Sequence, residues 1–294
     1  MQKSIHTLLS YAKRSALAMF NAKIVASSIL HNYKKEDIKN LLRDAINFSY
    51  FVKRYGVQLK NEKGYWNYDP KNNIITTPQG IKFYLNYFDP YIFAETFLYD
   101  IHFCDFNLKD KVVVQAGAFI GDTPLYYAYR GAKVYAFEPD YVSFNIAIKN
   151  INLNKSLAKR IVLKNYAIGK DGYLNFPAIG SGGSSAYMNT NKTKKVRCVS
   201  IKTILKEFNI TKPFLLDLDI KGNEYEVIKD NSISKFEMIR IEYGTLVKDG
   251  KKLGSREDII KALKRNGFNK IRIYKHSESA YDLHEHGTIE ARKN

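Results

Sequence analysis

The sequence predicts an α/β fold in which a mostly parallel β-sheet carries helices on both faces, preceded by a helical and a small β extension. From Lys111 onward, apolar strand-like runs alternate with segments of helical periodicity, which is typical of such a sheet. A glycine turn at residues 115–121 joins one of these strands to a helix. The 294 residues are enough for one large α/β domain with an appendage.

The composition is that of an ordinary folded protein. Apolar residues make up 45% and charged residues 26%, without the low hydrophobicity that marks disorder. The net charge of +18 favours anionic partners such as phosphates, acidic glycans, nucleic acid or anionic lipid, with a solvated basic surface as an equal alternative. The isolated Cys104 and Cys198 argue against a disulfide framework or a CxxC zinc site. We therefore expect a cytoplasmic protein with both thiols buried and inert.

The first 110 residues predict an extension in two parts. Residues 1–55 have apolar side chains at helical spacing, which predicts two or three helices. Their basic residues are more typical of a solvated face than of a membrane-surface helix, and they interrupt the apolar runs before these reach the length of a membrane span or a secretory signal. Residues 56–110 are aromatic-rich and punctuated by turns, which predicts a small β-meander leading into a helix near 91–99.

Residues 111–294 carry the elements of the main domain. The predicted strands lie at 111–115, 133–137, 161–165, 213–218, 237–242 and 270–274. The predicted helices lie at 122–130, 140–150, 200–208, 223–229 and 255–265. Between the third and fourth strands, residues 169–200 are too polar and too rich in glycine and serine for a crossover helix. They predict an excursion with a flexible loop and short flanking strands.

The turn "QAGAFIG" at residues 115–121 has the features of a nucleoside site. Its glycines allow positive φ and close approach of the backbone to a ligand. Glu138 ends the next strand 21 residues after Gly117, and a carboxylate at that spacing can accept both hydroxyls of a ribose. The spacing G-x-x-x-G differs from that of dinucleotide sites, and Asp122 at the helix start would repel a diphosphate. These features favour a ligand without phosphates at the turn, such as S-adenosylmethionine.

Several ordered blocks resemble the FkbM-like family of S-adenosylmethionine-dependent methyltransferases, class I enzymes with a Rossmann-like fold. The blocks are "ETFLYD", "VVVQAGAFIGDTPLYYAYRGAKVYAFEPD", "FNIAIKNINLN", "NYAIG", "GSGGSSAY", "FLLDLDIKGNEYEVI", "IRIEYG" and "ALKRNGF". They run from about Asn73 to the C-terminus. The resemblance implies a Rossmann-like methyltransferase domain at 111–294 with S-adenosylmethionine as cofactor, after the helical 1–55 and the β-meander and connecting helix of 56–110.

The resemblance also implies a set of cofactor residues around the turn. The candidates are Gln115, Gly117, Ala118, Phe119, Gly121, Asp122, Thr123, Glu138, Pro139, Asn145 and Ala167. Glu138 would hold the ribose. An acid usually ends the first strand in the family, where this chain has Gln115. A neutral amide keeps an acceptor but loses the attraction to an ammonium, so we expect weaker but retained cofactor binding, with some of the missing charge supplied by Asp122.

Two acids stand where a methyl acceptor would bind. Asp219 follows the fourth strand and Glu242 ends the fifth, at the carboxyl edge where open parallel sheets bind ligands. An alcohol acceptor needs a base while the methyl group is transferred in line, and Asp219 is our first candidate and Glu242 our second. One alternative is that Asp219 only caps the helix opening near Gly222. Another, which we do not favour, is that both acids bind a divalent metal such as Mg²⁺.

Four further residues are substrate-binding candidates. They are Lys221, Glu224, Ser185 and Tyr187. Family members often read K-I-D-V-E-G-A-E where this chain has residues 217–224, so Lys221 reverses a charge, and it either binds an anionic acceptor or neutralises Asp217 and Asp219. Tyr187 follows the glycine-rich "GSGGSS" and would belong to a loop that closes on the substrate.

The C-terminal tail contains His276, His284 and His286. The last two would share one side of a strand, where a metal or catalytic role is conceivable. A turn before a final antiparallel strand with exposed histidines is the simpler interpretation.

The leading hypothesis is O-methylation of a hydroxyl on a sugar, glycan, glycolipid or similar small polar or anionic acceptor. The alternative enzyme is an RNA or other nucleic-acid methyltransferase, suggested by the net charge and by the basic stretch from Lys248 to Lys275. A non-enzymatic alternative is a degenerate cofactor-binding scaffold, suggested by Gln115 and Lys221. The sequence predicts no transmembrane segment and leaves peripheral membrane contact and the oligomeric state open.

Overall fold

The computed structural model describes residues 67–69, 71–77, 79–84, 87, 92, 96–97, 106–244, 247–248, 251–274 and 286–293. The helices predicted in residues 1–55, most of the helix predicted near 91–99, Cys104, His276 and His284 lie outside the described residues. The chain divides into two units, residues 1–106 and 107–294.

The described part of the first unit contains a small three-stranded β-sheet. Its three strands are β1 (Asn67–Asp69), β2 (Ile74–Thr76) and β3 (Lys82–Tyr84). They pair antiparallel in the order β1-β2-β3. The Asp69 carboxylate accepts hydrogen bonds from the backbone N–H groups of Lys71 and Asn72, which holds the turn between β1 and β2. Ile75 and Phe83 are buried.

The second unit contains a central sheet of seven strands. They are β4 (Val112–Ala116), β5 (Lys133–Phe137), β6 (Ile161–Lys164), β10 (Pro213–Leu218), β11 (Met238–Gly244), β14 (Lys270–Tyr274) and β15 (His286–Arg292). Their order is β14-β15-β11-β10-β4-β5-β6, and the pairs from β11 to β6 are parallel. Strand β15 runs antiparallel to both of its neighbours. The mostly parallel sheet that the sequence predicts is therefore confirmed, with the final antiparallel strand inserted next to its edge.

Helices connect these strands. They are α1 (Asp122–Tyr129), α2 (Tyr141–Leu153), α3 (Lys155–Ala158), α4 (Ile201–Glu207), α5 (Glu224–Val227) and α6 (Arg256–Arg265), with a 3-10 turn at Asn231–Lys235. Helix α2 starts at the N-cap Asp140, and α6 starts with a capping box between Ser255 and Asp258. These helix starts follow from local sequence because each cap lies within three residues of the N–H groups that it satisfies.

The two faces of the central sheet differ in chemistry. On one face, residues of β4, β10, β11 and β15 pack with α4 and α6 in the main apolar core, exemplified by Leu216, Ile241 and Leu263. On the other face, Asp217 aligns with Arg240 on the neighbouring strand. The Asp217 carboxylate accepts hydrogen bonds from Arg240 at 2.8 Å and from the Tyr127 hydroxyl at 2.9 Å. Asp217 thus belongs to a buried structural ion pair.

The excursion between β6 and β10 forms a separate small sheet. Its strands are β7 (Tyr166–Ile168), β8 (Gly172–Pro177) and β9 (Thr193–Val199), in the order β7-β9-β8. Phe176, Val196 and Cys198 pack together in its core. Burial raises the pKa of the Cys198 thiol to about 11, which keeps it protonated and inert. A second short hairpin joins β12 (Val247–Lys248) to β13 (Lys251–Lys252).

Candidate active site

The glycine turn bridges three strands of the central sheet. The backbone N–H groups of Gly117 and Ala118 donate to the carbonyl of Phe137 at the end of β5, and the N–H of Asp219 donates to the carbonyl of Ala116. Gly117 has a φ of 85°, and a Cβ atom there would lie 2.0 Å from the carbonyl oxygen of Asp219. Only glycine fits this position, because any side chain would separate the turn from the end of β10.

Glu138 is bound to the turn from the neighbouring strand. Its carboxylate accepts from the N–H of Phe119 at 2.7 Å and from the N–H of Asp140 at 2.8 Å. Phe119 adopts a left-handed φ of 44° at this contact. Burial raises the pKa of Glu138 to about 8. The negative charges of Asp140 and Asp219 also raise this pKa, whereas the two N–H donors lower it. Each carboxylate oxygen retains a lone pair for a ligand hydroxyl.

Gln115 is the second-to-last residue of β4, directly before the glycine turn. Its side-chain amide donates to the carbonyl of Gly117 at 2.7 Å. Its side-chain oxygen is buried and has no hydrogen-bond partner among the described residues. An unsatisfied buried acceptor costs about 1–3 kcal/mol, so this oxygen marks a position where a ligand donor would be stabilising.

The remaining cofactor candidates lie on three different elements. Gly121, with a φ of 89°, is the N-cap of α1, and the buried Asp122 and Thr123 form its first turn, where the Thr123 hydroxyl donates to Asp122. Asn145 is directed to its own helix, since its amide donates to the Tyr141 carbonyl. Ala167 is buried in β7 of the small sheet.

Asn165 holds the segment that carries Glu138. Its side-chain amide donates to the carbonyls of Glu138 at 2.8 Å and Pro139 at 3.0 Å. Sequence reasoning did not assign this residue a role. Its position inside the block "NYAIG" was the only signal.

Asp219, Lys221 and Glu242 form an ion cluster at the carboxyl edge of β10 and β11. The Lys221 ammonium lies 2.7 Å from a carboxylate oxygen of Asp219 and 2.7 Å from one of Glu242. Burial raises the pKa of Asp219 to about 6, and Glu242 adds to this while Lys221 opposes it. Burial disfavours the charge on Lys221, but Asp219 and Glu242 outweigh this and raise its pKa above the usual value. The lysine is therefore a permanent cation between the two candidate bases.

The turn that presents Lys221 is locked by Glu224. The Glu224 carboxylate accepts from the backbone N–H groups of Ile220 and Gly222. Lys221 itself has a left-handed φ of 51°, and Gly222 has a φ of 116°. The sequence considered Asp219 as the cap of this helix, but the N-cap of α5 is Asn223, which forms no side-chain capping hydrogen bond, and Glu224 stabilises the turn before the helix. Burial raises the pKa of Glu224 to about 7.

The glycine-rich loop between β8 and β9 is held by two sets of contacts. In the first, a single oxygen of the buried Asp140 carboxylate accepts from Ile179 N–H, Gly180 N–H and the Ser184 hydroxyl. In the second, the Ser185 hydroxyl donates to the carbonyl of Lys221 at 2.9 Å and accepts from the N–H of Tyr187. The loop therefore connects the segment after Glu138 with the turn of Lys221.

Asp140 is the second site residue that sequence reasoning missed. Its position before an apolar helix predicts an N-cap, which its other oxygen provides through Val142 and Ser143. Its bonds to a loop about 40 residues later had no local signal.

Within the described part of the chain, no group of three or more His, Cys, Asp or Glu side chains is arranged to hold a metal ion. No helix among the described residues is both long enough and apolar enough to cross a membrane.

Comparison with known proteins identifies the family. No curated protein matches the chain in sequence. Solved structures similar to the chain include magnesium protoporphyrin IX methyltransferase from Synechocystis PCC 6803 with bound SAH, at 14% identity and a TM-score of 0.39 over 64% of this chain and 76% of that one. Precorrin-6y C5,15-methyltransferase from Geobacter metallireducens GS-15 has 13% identity and a TM-score of 0.38 over 63% and 81%. The N-terminal domain of EvdMO1, in the presence of SAH and D-fucose, has 12% identity and a TM-score of 0.38 over 63% and 76%.

The sequence match is stronger than these structural similarities. Residues 115–270, more than half of the chain, match the family described as Methyltransferase FkbM domain. This range includes the glycine turn, Glu138 and the ion cluster. The chain therefore belongs to the FkbM family of S-adenosylmethionine-dependent methyltransferases.

Proposed function

We propose that this methyltransferase transfers the methyl group of S-adenosylmethionine to a hydroxyl of a sugar, glycan, glycolipid or another small polar acceptor. One observation carries the proposal: the glycine turn holds a candidate ribose ligand and a candidate base on its two sides. Phe119 in the turn donates to Glu138, and Gly117 packs directly against the carbonyl of Asp219. A nucleoside bound to Glu138 would therefore lie at the same edge of the sheet as Asp219.

The residues around the turn fit the cofactor. In the proposal, the remaining lone pairs of Glu138 accept the two ribose hydroxyls, and the unsatisfied oxygen of Gln115 accepts an N–H of the amino group. The amide in place of an acid would make this second contact weaker, because a charge-assisted hydrogen bond is about twice as strong as a neutral one. Gly117, Ala118 and Gly121 allow the backbone to approach the ligand.

S-adenosylmethionine supplies an electrophilic methyl group when it is bound. The chain must align an acceptor oxygen with that group, exclude water and accept the hydroxyl proton. Asp219 is the proposed base, and Glu242 is the second candidate. Lys221 and the loop that carries Ser185 and Tyr187 would form the acceptor side of the site. A divalent metal is a weaker candidate here because the Lys221 ammonium lies between the two acids.

A radiolabelled methyl-transfer screen against glycan, lipid and RNA fractions tests the acceptor class. Calorimetry with S-adenosylmethionine and its demethylated product tests the cofactor site first. The O-methyltransferase proposal predicts binding of both and label in a glycan or lipid fraction that survives mild base. Label only in RNA would replace the proposal by its alternative, and no binding of either nucleoside would favour a degenerate scaffold.

One surface feature supports nucleic-acid methylation as the second candidate function. The Lys195 ammonium lies 5.0 Å from the ring centroid of Tyr173, and that of Lys194 lies 3.0 Å from the ring centroid of Tyr141. Tyr173 is 68% exposed. Exposed aromatic rings beside basic residues are typical of surfaces that bind single-stranded nucleic acid. Salt-sensitive binding of generic RNA, lost in a Tyr173→Ala, Lys195→Ala double variant, would favour this alternative.

A further inference from the structure

The outer side of helix α2 is apolar, whereas a surface helix normally presents charged or polar side chains to solvent. Tyr141 and Ile148 are about two turns apart on one side of the helix, and Val142 is adjacent to Tyr141. All three are exposed, and the helix contains no acidic residue. The side of the helix that contacts the core is a different one and includes Ile146 and Ile151. Packing of the domain therefore does not account for the exposed apolar side chains.

The loop after β8 extends this apolar surface. Ile179 is exposed, and its backbone N–H donates to Asp140, the N-cap of α2. The next residue, Gly180, lies so close to α2 that a Cβ atom there would be 2.8 Å from a side-chain carbon of Val142. The exposed side chains of the helix and the loop form one apolar patch, which consists of Tyr141, Val142, Ile148 and Ile179.

The apolar patch is a cluster and not a set of scattered residues. Its members are between 37% and 40% exposed, and they are four of the seven large hydrophobic side chains that are exposed among the described residues. Single exposed hydrophobic residues are normal on a protein surface, but contiguous ones mark an interaction site. The clustering therefore indicates a binding partner.

The patch lies in a strongly basic part of the chain. Residues 141–206 contain twelve Lys and Arg but a single acid, Asp171. Asp171 lies between β7 and β8, where its carboxylate accepts hydrogen bonds from residues at the start of α4. The charge of this segment is complementary to an anionic partner.

Two lysines flank the patch directly. The Lys194 ammonium lies 3.0 Å from the ring centroid of Tyr141. Lys192 is exposed just before β9, and its carbonyl accepts from the N–H of Ala178, the residue before Ile179. The surface thus combines exposed apolar side chains with adjacent positive charge.

This combination fits an anionic lipid surface better than a nucleic acid. Proteins bind single-stranded nucleic acid by stacking bases on aromatic rings beside positive charge. Three members of the patch, Val142, Ile148 and Ile179, are aliphatic and offer no ring to a base. Aliphatic side chains are instead stabilised when they enter the acyl boundary of a bilayer. Lysines are attracted to anionic headgroups, and tyrosine is enriched at the membrane–water interface.

The patch borders the proposed cofactor site. Asp140 connects the two, because its N–H donates to the Glu138 carboxylate while its own carboxylate accepts from the loop that carries Ile179. The same loop reaches the turn of Lys221 through Ser185. A surface that contacts the patch would therefore lie beside the edge of the sheet where the acceptor is expected.

We propose that the apolar patch and its two lysines are a docking surface for an anionic lipid membrane, and that the methyl acceptor is a glycolipid presented at that membrane. The patch enters the acyl boundary, and Lys192 and Lys194 contact the anionic headgroups. The second half of the proposal rests on the proposed function. In the transfer, the O–CH₃ bond forms as the S–CH₃ bond breaks, that electron pair returns to sulfur, and the hydroxyl proton passes to the proposed base Asp219.

Vesicle flotation of the full chain tests the docking surface without an acceptor. The probes are vesicles of phosphatidylglycerol and phosphatidylcholine in equal parts, and vesicles of phosphatidylcholine alone. We expect the wild type to bind the anionic vesicles about tenfold or more better than the neutral ones. Ile148→Gln, Ile179→Gln should weaken binding to anionic vesicles about tenfold or more, because two aliphatic side chains no longer enter the bilayer. Lys192→Gln, Lys194→Gln should weaken it by a similar factor, because two headgroup contacts are lost.

The matched control lies on the other face of the same strand. Successive residues of a strand point to opposite faces, so Lys195 lies beside Tyr173 whereas Lys194 lies beside Tyr141. Tyr173→Gln, Lys195→Gln therefore removes an exposed ring and a lysine outside the patch. We expect this control to change vesicle binding less than about twofold.

The docking proposal fails if the wild type does not float with anionic vesicles, or if either folded patch variant binds them as the wild type does. It fails equally if the control loses as much binding as the patch variants, since the attraction would then belong to the whole basic surface. RNA binding that the patch variants lose, in a chain that binds no vesicles, would assign the surface to a nucleic acid. Circular dichroism checks the fold of each variant, and the lysine variant alone decides if the isoleucine variant does not fold.

The second half is tested by radiolabelled methyl transfer to the lipid fraction reconstituted in anionic vesicles. We expect label in that fraction, with kcat/KM lowered about tenfold or more in Ile148→Gln, Ile179→Gln while the Kd for S-adenosylhomocysteine changes less than about twofold. Label confined to water-soluble glycan or RNA, or an unchanged kcat/KM in this variant, would refute a membrane-presented acceptor. Failure of the wild type to bind S-adenosylhomocysteine would instead refute the proposed function, and vesicle flotation would still decide the docking surface.

Discussion

The contact between Gly117 and the end of β10 gives a quantitative test of the site. Replacing Gly117 with alanine has two costs. The first is the left-handed φ of 85°, which costs a residue with a Cβ atom about 1–2 kcal/mol. The second is the contact of that Cβ atom with the Asp219 carbonyl oxygen at 2.0 Å. Relieving it requires the turn and the strand end to separate by about 1 Å, and overpacking of this kind costs about 1–3 kcal/mol.

Gly267 provides a matched control for the first cost. It has nearly the same φ, 88°, but a Cβ atom there would meet nothing within 4 Å. We therefore expect Gly267→Ala to lower the free energy of unfolding by about 1–2 kcal/mol. Gly117→Ala should lower it by about 2–5 kcal/mol in total. The difference between the two variants isolates the contact between the turn and β10.

Urea denaturation measures both free energies, and calorimetry measures the affinity for S-adenosylhomocysteine. Gly117→Ala should weaken that affinity by more than tenfold, because the turn and Asp219 would no longer keep their spacing. Gly267→Ala should leave the affinity unchanged. Equal destabilisation of the two variants, or cofactor binding unaffected by Gly117→Ala, would refute the argument that the turn and β10 form one close-packed site.

Three further outcomes follow from buried charges. With a pKa of about 8, the Glu138 carboxyl is mostly protonated at pH 7 and mostly ionised at pH 9. The affinity for adenosine, measured by calorimetry, should therefore rise about tenfold between these pH values in the wild type and stay constant in Glu138→Gln. A constant affinity in the wild type would contradict the ribose contact. Asp219→Asn should lower kcat at least tenfold with little change in the Kd for S-adenosylhomocysteine, whereas wild-type turnover would remove Asp219 as the base. Arg240→Met should cost about 3–5 kcal/mol in urea denaturation because it leaves Asp217 charged and buried, and a loss below about 1 kcal/mol would show that the pair is not structural.

Sequence reasoning reached the elements of the main domain because their signals are local. The predicted strands agree with β4, β5, β6, β10, β11 and β14 within two residues, and the predicted helices agree with α1, α2, α4, α5 and α6 within three. Hydrophobic period, caps and glycine turns all act over a few residues, so they can be recognised without knowing the partners of a segment. The insertion of β15 between β11 and β14 is a long-range pairing that local periodicity does not specify.

In the candidate site, too, the local features could be predicted from the sequence and the long-range contacts could not. The positions of Glu138 and Asp219 at strand ends could be predicted, because a strand end is a local feature. The partners of these acids could not. Asp140 binds a loop about 40 residues away, and Lys221 reaches Glu242 on the next strand. Such contacts depend on which strands are neighbours and in which register they pair.

Asp217 and Asp219 show most directly where sequence ends and tertiary structure begins. In the sequence they are two acids on the same side of one predicted strand, with Asp219 just past its end, and the family resemblance with the turn pattern determined the methyltransferase fold and its cofactor. Register decided their roles. Asp217 pairs with Gln115 and Arg240 inside the sheet and is buried, whereas Asp219 lies one residue beyond the end of β10 and meets Lys221 at the open edge. A displacement of two residues along a strand thus separates a structural ion pair from a candidate base, because only the assembled sheet determines which carboxylate is covered.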